Sequence, residues 1–225
     1  MARPAAFVLV ALALAALFVR LGVWQLDRAA QRQAANARVA SLLAQPFLQV
    51  GPADLRNAAA AKRLAWRRAA AEGRYAAEGE VVIPGRAYKG SPGVHLLTPL
   101  LLEGGGGVSI LVNRGWVPSP DASTVKREAY REQGRVRVCG VLRPPSAPEA
   151  RALLTGRAAA VPVVLEQLAG ARSRPFPIRS SGPELTGGPH RSYAVQWFSF
   201  AAIALIGAGA YVRSRARHLD RSDTS

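Results

Sequence analysis

The chain has 225 residues and a formal net charge of +16, with 30 Lys and Arg against 14 Asp and Glu, yet 49% of its residues are hydrophobic. In a water-soluble protein such a charge points to nucleic acid. Here the arginines are scattered and both ends are apolar, so the expected partners are anionic lipid or an acidic protein, with no nucleic acid. The single Cys139 excludes an internal disulfide, a multi-thiolate metal site and covalent c-type haem attachment, and the lone initiator methionine excludes a thioether copper site.

Pro4 to Val19 is uncharged and apolar, and after Arg20 the run continues through Leu21-Gly22-Val23-Trp24-Gln25-Leu26 before Asp27. The roughly 20 residues a membrane helix needs are present, and Arg20 lies near one end, where it can snorkel and avoid the cost of about 2.5–3.5 kcal/mol of a charge at mid-bilayer. A cleaved signal peptide, with Arg3 as its positive region and a site near Ala11-Leu12-Ala13, is the alternative. The length of the run and Trp24, an interface-anchoring residue, favour a retained helix. Asp27 to Ala44 is rich in Ala, Gln and Arg with a loose apolar stripe, which predicts a solvated continuation of the helix ending at Gln45-Pro46. Pro52-Ala53-Asp54-Leu55 then begins another short helix toward Ala61 and Leu64.

The middle of the chain reads as β. Tyr75 to Ile83, His95 to Leu102, Val108 to Asn113 and Arg135 to Leu142 are short runs rich in Val, Ile, Leu and Tyr between Gly and Pro clusters. Gly104-Gly105-Gly106-Gly107 has no Gly-Lys-Ser/Thr after it and lies between two apolar runs, so it predicts a hairpin tip rather than a phosphate loop. Ser119 to Gln133 is expected as a loop with a helical turn or two, and Pro144 to Ala160 is weakly patterned. Val161 to Leu165 is expected as a last strand, and Pro175, Pro177, Pro183 and Pro189 predict an extended return.

From Tyr193 to Val212 the chain again carries no charge, the length of a second membrane helix. Its opening places His190, Tyr193 and Trp197 at i, i+3 and i+7, on one helical face. Arg3 in one tail and Arg213, Arg215, Arg217 and Arg221 in the other put both termini on the positive, cytoplasmic side. The expectation is an α+β membrane protein: a tail at 1–4, transmembrane helices at 5–26 and 190–212, one β-rich extracytoplasmic domain with short peripheral helices at 27–189, and an Arg-rich tail at 213–225. In a bacterium this is a multi-pass protein of the inner (plasma) membrane with its main domain in the periplasm.

Four phrases stand in order: Leu21-Gly22-Val23-Trp24-Gln25-Leu26-Asp27-Arg28, Gly90-Ser91-Pro92-Gly93-Val94-His95-Leu96-Leu97-Thr98-Pro99-Leu100, Leu111-Val112-Asn113-Arg114-Gly115-Trp116-Val117-Pro118, and Pro189-His190-Arg191-Ser192-Tyr193-Ala194-Val195-Gln196-Trp197-Phe198. In combination they resemble the surfeit locus protein 1 family, membrane factors that assist assembly of haem-a cytochrome c oxidase, over about residues 5 to 212. The resemblance implies a non-enzymatic chaperone that binds or stabilises haem a during its insertion into oxidase subunit I, in the company of other oxidase assembly factors. A haem-free scaffold that holds subunit I is the alternative. The resemblance also implies a strand over Leu64 to Ala71 running into Gly73-Arg74-Tyr75, where helix propensity alone predicts helix.

Beside that resemblance, the residues allow a physical reading of a haem site. A neutral His190 imidazole is a good iron ligand. Tyr193 and Trp197, the latter about 10 Å deeper at helical rise, would line a flat apolar ligand. Trp24-Gln25 and Gln196-Trp197 are aromatic-amide pairs expected in one leaflet and able to face each other, and Arg28, Arg191 or Arg114 could meet propionates. The plainer reading makes His190 a residue that caps the helix start and the aromatics an interfacial belt. His95 is either a structural strand residue or the other outside histidine able to complete a bis-histidine site, while His218 is on the opposite side. Asn113-Arg114-Gly115-Trp116 is expected to make a tight turn with Gly115 at positive φ and Arg114 pinned by carboxylate or carbonyls, and to serve either structure or docking to the oxidase subunit. An enzyme is disfavoured because Ser91 and His95 lack a nucleophile-elbow spacing, and copper delivery because Cys and Met ligands are missing.

Overall fold

The computed structural model describes residues 2–155, 163–170 and 175–222. In chain order the elements are α1 (Ala2–Leu43), β1 (Leu48–Val50), α2 (Pro52–Leu55), α3 (Ala58–Arg63), β2 (Arg68–Tyr75), β3 (Val81–Tyr88), β4 (Ser91–Leu102), β5 (Ser109–Pro118), β6 (Val136–Arg143), α4 (Ala147–Thr155), β7 (Val164–Gln167) and α5 (His190–Ser222). They form two units, a β domain of Val39–Glu184 and a helical unit of Met1–Arg38 with Leu185–Ser225.

In the β domain the strand order is β1-β2-β6-β7-β5-β4-β3, and β2 also pairs with β4. That extra pairing closes β2, β6, β7, β5 and β4 into a ring, which removes most of the open edges a flat sheet would carry. Pairing is antiparallel except for β1 with β2 and β5 with β7. The interior is filled by Ala69, Ala71, Leu100, Ile110, Val112, Val138, Leu142 and Leu165, and is joined by Leu55 of α2 and Ala61 of α3. Alternation along β6 buries Val138 and exposes Arg137 and Cys139, the period of a strand with one face in the core.

Several expectations shift in position. Leu64 to Arg67 is a turn after α3, and the strand implied by the resemblance begins at Arg68. Trp66 sits in that turn at φ 68, the left-handed region that a bulky side chain seldom enters. Tyr75 to Ile83 is two strands, because a 3-10 turn at Ala77–Gly79 separates β2 from β3. The four-glycine run joins β4 to β5 as a hairpin tip, and the Ser119 to Gln133 loop carries one 3-10 turn, Arg127–Tyr130. Pro144 to Ala160 contains α4, and of the expected last strand Val164 and Leu165 belong to β7, while Val161 and Pro162 lie outside the described residues.

The correction of most consequence concerns Asn113 to Trp116. These residues are not a turn between strands but the middle of β5, where the register against β4 slips between Leu96 and Leu97 as in a β-bulge. Gly115 has the expected positive φ, +115, and a Cβ there would lie 2.2 Å from the Ile178 carbonyl oxygen. Gly115→Ala should therefore lower the free energy of unfolding by at least the roughly 1–3 kcal/mol of a forced backbone conformation, seen as a lower denaturant midpoint with unchanged cooperativity.

In the helical unit, α1 has 42 residues and α5 has 33. Ala5–Leu43 and His190–Arg217 are long and apolar enough to cross a membrane by length and composition. The helices run antiparallel and meet along small residues: Ala11, Ala15 and Gly22 on α1 and Ala194, Ala201 and Ala208 on α5 are buried, in a unit whose larger apolar side chains mostly face outward. A Cβ at Gly22 would come within 2.6 Å of the Phe198 ring, so the two backbones approach as closely as small-residue seams allow.

Candidate functional site

The first expected site lies in the helical unit. His190 opens α5, and its ring Nδ1 is 3.0 Å from Oε1 of Gln25 on α1. An amide oxygen only accepts, so Nδ1 is the donor in this contact, and of the two neutral tautomers it selects the one with its lone pair on Nε2, the form a metal requires. Gly188, at φ +69, stands beside that nitrogen; a Cβ there would sit 3.6 Å from Nε2, so its absence keeps the approach open.

Below His190, Trp197 stacks on Phe18 of α1 at 5.8 Å and 25°, with Phe200 edge-on at 5.9 Å. Its ring is thus part of the helix contact rather than an open wall. Tyr193 is 48% exposed and Gln196 is exposed. Of the Trp24-Gln25 pair only the amide meets α5: Trp24 is 53% exposed and lines a groove with Leu17, Arg20, Val23 and Asp27, all on α1. The two aromatic-amide pairs therefore do not face each other, because Trp24 and Gln25 are adjacent and point about 100° apart around the helix. Polar groups gather beyond His190: Arg191 donates to Gln33 at 3.3 Å, Arg28 donates to Gln31 at 3.1 Å, and Arg32 and Asn36 donate to the Thr186 carbonyl at 3.3 and 2.9 Å.

Arg114 does not join them. It lies in β5, 1% exposed, and its guanidinium donates to Glu80 at 3.2 Å, to Glu132 at 2.9 Å and to the Tyr130 carbonyl, while Tyr75 covers it at 4.8 Å. Glu80 accepts in addition from Thr98 at 2.5 Å. The expectation that Arg114 is pinned by carboxylates and a carbonyl holds, and for that reason it has no propionate to meet.

The β domain has a cavity of its own, about 420 Å³, lined by His95, Tyr88, Trp116, Glu166, Arg179 and the Ser180–Glu184 segment. Behind it runs a chain of hydrogen bonds. Asn113 Oδ1 accepts from the Gly115 N–H at 3.1 Å, which orients the amide, so Nδ2 donates both to Glu149 at 3.3 Å and to His95 Nδ1 at 3.2 Å. His95 therefore carries its proton on Nε2, the opposite tautomer to His190. Burial, and then the charge of Arg86, lower its pKa and keep it neutral. A protonated Nε2 cannot bind iron, so this arrangement opposes His95 as a second axial ligand and supports the structural reading.

Burial alone would raise the carboxyl of Glu149, but the Arg143 guanidinium at 2.7 Å outweighs it and holds the group down at about 2. A carboxylate depressed in the folded state stabilises above its unfolded pKa and loses that contribution as pH falls. His95, lowered from 6.5, also binds its proton more readily in the unfolded chain. Both signs agree: the domain should lose stability as pH falls below about 6.5, first through His95 and then through Glu149 from 4.5 toward about 2, with Glu149→Gln shrinking the lower phase of a pH series of unfolding midpoints, to which the lowered carboxyls of Asp121 and Glu72 also contribute.

Sequence reasoning missed the Ala194-Ala201-Ala208 seam and the Asn113-Glu149 link. The first was readable as a seven-residue repeat of alanine; the second joins β5 to α4 over a separation no local pattern reports.

A ring-closed β domain inserted between two apolar terminal helices defines the class of protein. The family model described as the SURF1 family matches residues 12–202, and this chain belongs to that family. SURF1-like proteins of Mycobacterium tuberculosis and Mycobacterium bovis are each 29% identical over 91% of this chain and 82% of their own length. A SURF1-like protein of Monosiga brevicollis is 30% identical over 82% of this chain and 79% of its own.

Proposed function

We propose that this protein is a membrane-bound, non-enzymatic assembly factor for haem-a cytochrome c oxidase that holds haem a at His190 while subunit I receives it. The SURF1 family is generally associated with cytochrome oxidase assembly, which supports the coarse part of this reading. The observation that carries the finer part is the His190–Gln25 contact, which uses Nδ1 as the donor and leaves Nε2 as the ring nitrogen free to bind, beside a glycine. His190 would hold haem a through Nε2, and the iron would supply a Lewis-acidic centre for that nitrogen. Gln25 orients the ring, Tyr193 offers an aromatic flank on the outward face, and Arg28 and Arg191 supply guanidinium donors for propionates at headgroup level. The apolar lengths of α1 and α5 support two membrane crossings, and Arg213, Arg215 and Arg217 beyond the second support cytoplasmic ends with the β domain outside.

A second reading keeps the oxidase and drops the haem: the same His190–Gln25 bond, joined to the small-residue seam, staples the helices into a rigid scaffold that holds subunit I. Purification of the protein with its partners from membranes that also make haem a separates the two. The haem reading expects a reduced haem a spectrum in the preparation; a colourless preparation that still contains subunit I leaves the scaffold.

A further inference from the structure

Two groups of cations in the β domain contrast. Arg114, Arg131, Arg135, Arg137, Arg143 and Arg179 each face a carboxylate. Arg56, Lys62, Arg63, Arg67 and Arg68 do not: they lie in a segment from Pro46 to Arg68 whose one acid, Asp54, accepts from the Gly51 N–H at 2.9 Å, and no ion pair reaches them among the described residues. Arg67 and Arg68 are nevertheless held in place. Arg67 donates to the Pro46 carbonyl at 3.2 Å, the Arg68 guanidinium lies 4.7 Å from the centre of the Phe47 ring, and the Nε of each is shielded from solvent without a partner. Phe47 is 49% exposed, and the half-buried Trp66 precedes the arginines in its left-handed backbone conformation.

An exposed aromatic ring with a held guanidinium against it, a second held arginine next in sequence and more cations on α3 is the composition of a binding hot spot. We propose that Phe47, Trp66, Arg67 and Arg68, with Lys62 and Arg63 of α3, form a docking surface for an acidic segment of a partner protein. The planar carboxylate matches the arginine fork, and fixed half-buried arginines suit a shaped protein surface, whereas polybasic lipid contacts work with solvated, mobile side chains. A nucleic-acid strand would call for several rings on which successive bases stack, and here one strongly exposed ring, Phe47, stands with the Arg68 guanidinium against it. The inference does not rest on haem binding.

The test uses the full-length protein in nanodiscs of zwitterionic lipid, with three probes: a fluorescent glutamate-rich peptide, phosphatidylglycerol vesicles and a single-stranded oligonucleotide. The peptide is expected to bind, more weakly as salt rises. Its affinity should fall about tenfold or more in Arg67→Glu/Arg68→Glu and likewise in Phe47→Ala, which alters no charge. Lys62→Glu/Arg63→Glu, on exposed positions, should weaken binding in the same sense and guards against a folding defect in the half-buried pair. Lys126→Glu/Arg131→Glu changes the net charge equally on another loop and should leave the affinity unchanged. A loss in Lys126→Glu/Arg131→Glu equal to that in the patch reversals, an unaltered Phe47→Ala, or patch-dependent binding of vesicles or oligonucleotide in place of the peptide would each overturn the proposal.

Discussion

His190→Ala is expected to abolish the reduced haem spectrum of the purified protein while leaving α1 and α5 paired. The imidazole is the one iron ligand the reading assigns, and its loss removes the coordinate bond outright. The helix pair loses only a hydrogen bond, about 0.5–1.5 kcal/mol, against a seam of buried alanines and the Phe18–Trp197 stack that the variant does not touch. Helix pairing is checked by a cysteine cross-link between Phe7 and Tyr211, whose rings lie 4.6 Å apart far from the site. Gln25→Leu supplies the graded companion. It keeps the ligand but frees the ring to rotate and change tautomer, a loss on the scale of 10–100-fold in affinity for outer-shell partners of metal ligands. A spectrum retained in His190→Ala would end the haem reading. Subunit I retained in the same preparation would keep the scaffold.

Arg114→Met carries the largest expected effect on stability. Arg114 is 1% exposed and faces Glu80, which is 9% exposed, so removing the cation strands a buried carboxylate. Breaking one side of such a pair costs about 3–5 kcal/mol, out of the 5–15 kcal/mol typical of a whole domain. The unfolding temperature of the β domain should fall on the order of 10 °C, read from the fluorescence of Trp66 and Trp116. Adding Glu80→Leu should recover part of the loss, because the stranded charge goes with it; strict additivity of the two variants would mean that they do not share one network. Arg114→Lys is not expected to substitute, since one ammonium cannot reach Glu80, Glu132 and the Tyr130 carbonyl with the same fork.

Much of the fold was readable because its signals are local. Two uncharged runs mark α1 and α5, Gln45-Pro46 stops α1 close to its observed end at Leu43, and the glycine run marks the β4–β5 hairpin. His190 and Gln25 were both singled out from sequence, since each lies at the polar end of an apolar helix. Boundaries failed where the signal is not local. Tyr75 to Ile83 looks like one strand because its apolar residues span a 3-10 turn between two strands, β2 and β3, that both pair with β4. Asn113 to Trp116 looks like a turn because Gly and Asn favour turns, yet its neighbours on β4 extend it as a bulged strand.

By itself the sequence determined which segments are apolar helices, that the middle of the chain is β-rich, where the charges fall, and that a histidine, a tyrosine and a tryptophan share one face of the closing helix. All of these follow from composition and period along a single element. Only the tertiary structure decided which groups meet. It gave Gln25 rather than Trp24 to His190, committed Arg114 to Glu80 and Glu132, and set His95 and His190 in opposite tautomers. Those outcomes depend on where a side chain points around its helix or across its sheet and on which carboxylate or amide lies within 3 Å or so, and hydrogen bonds act at that range regardless of distance along the chain.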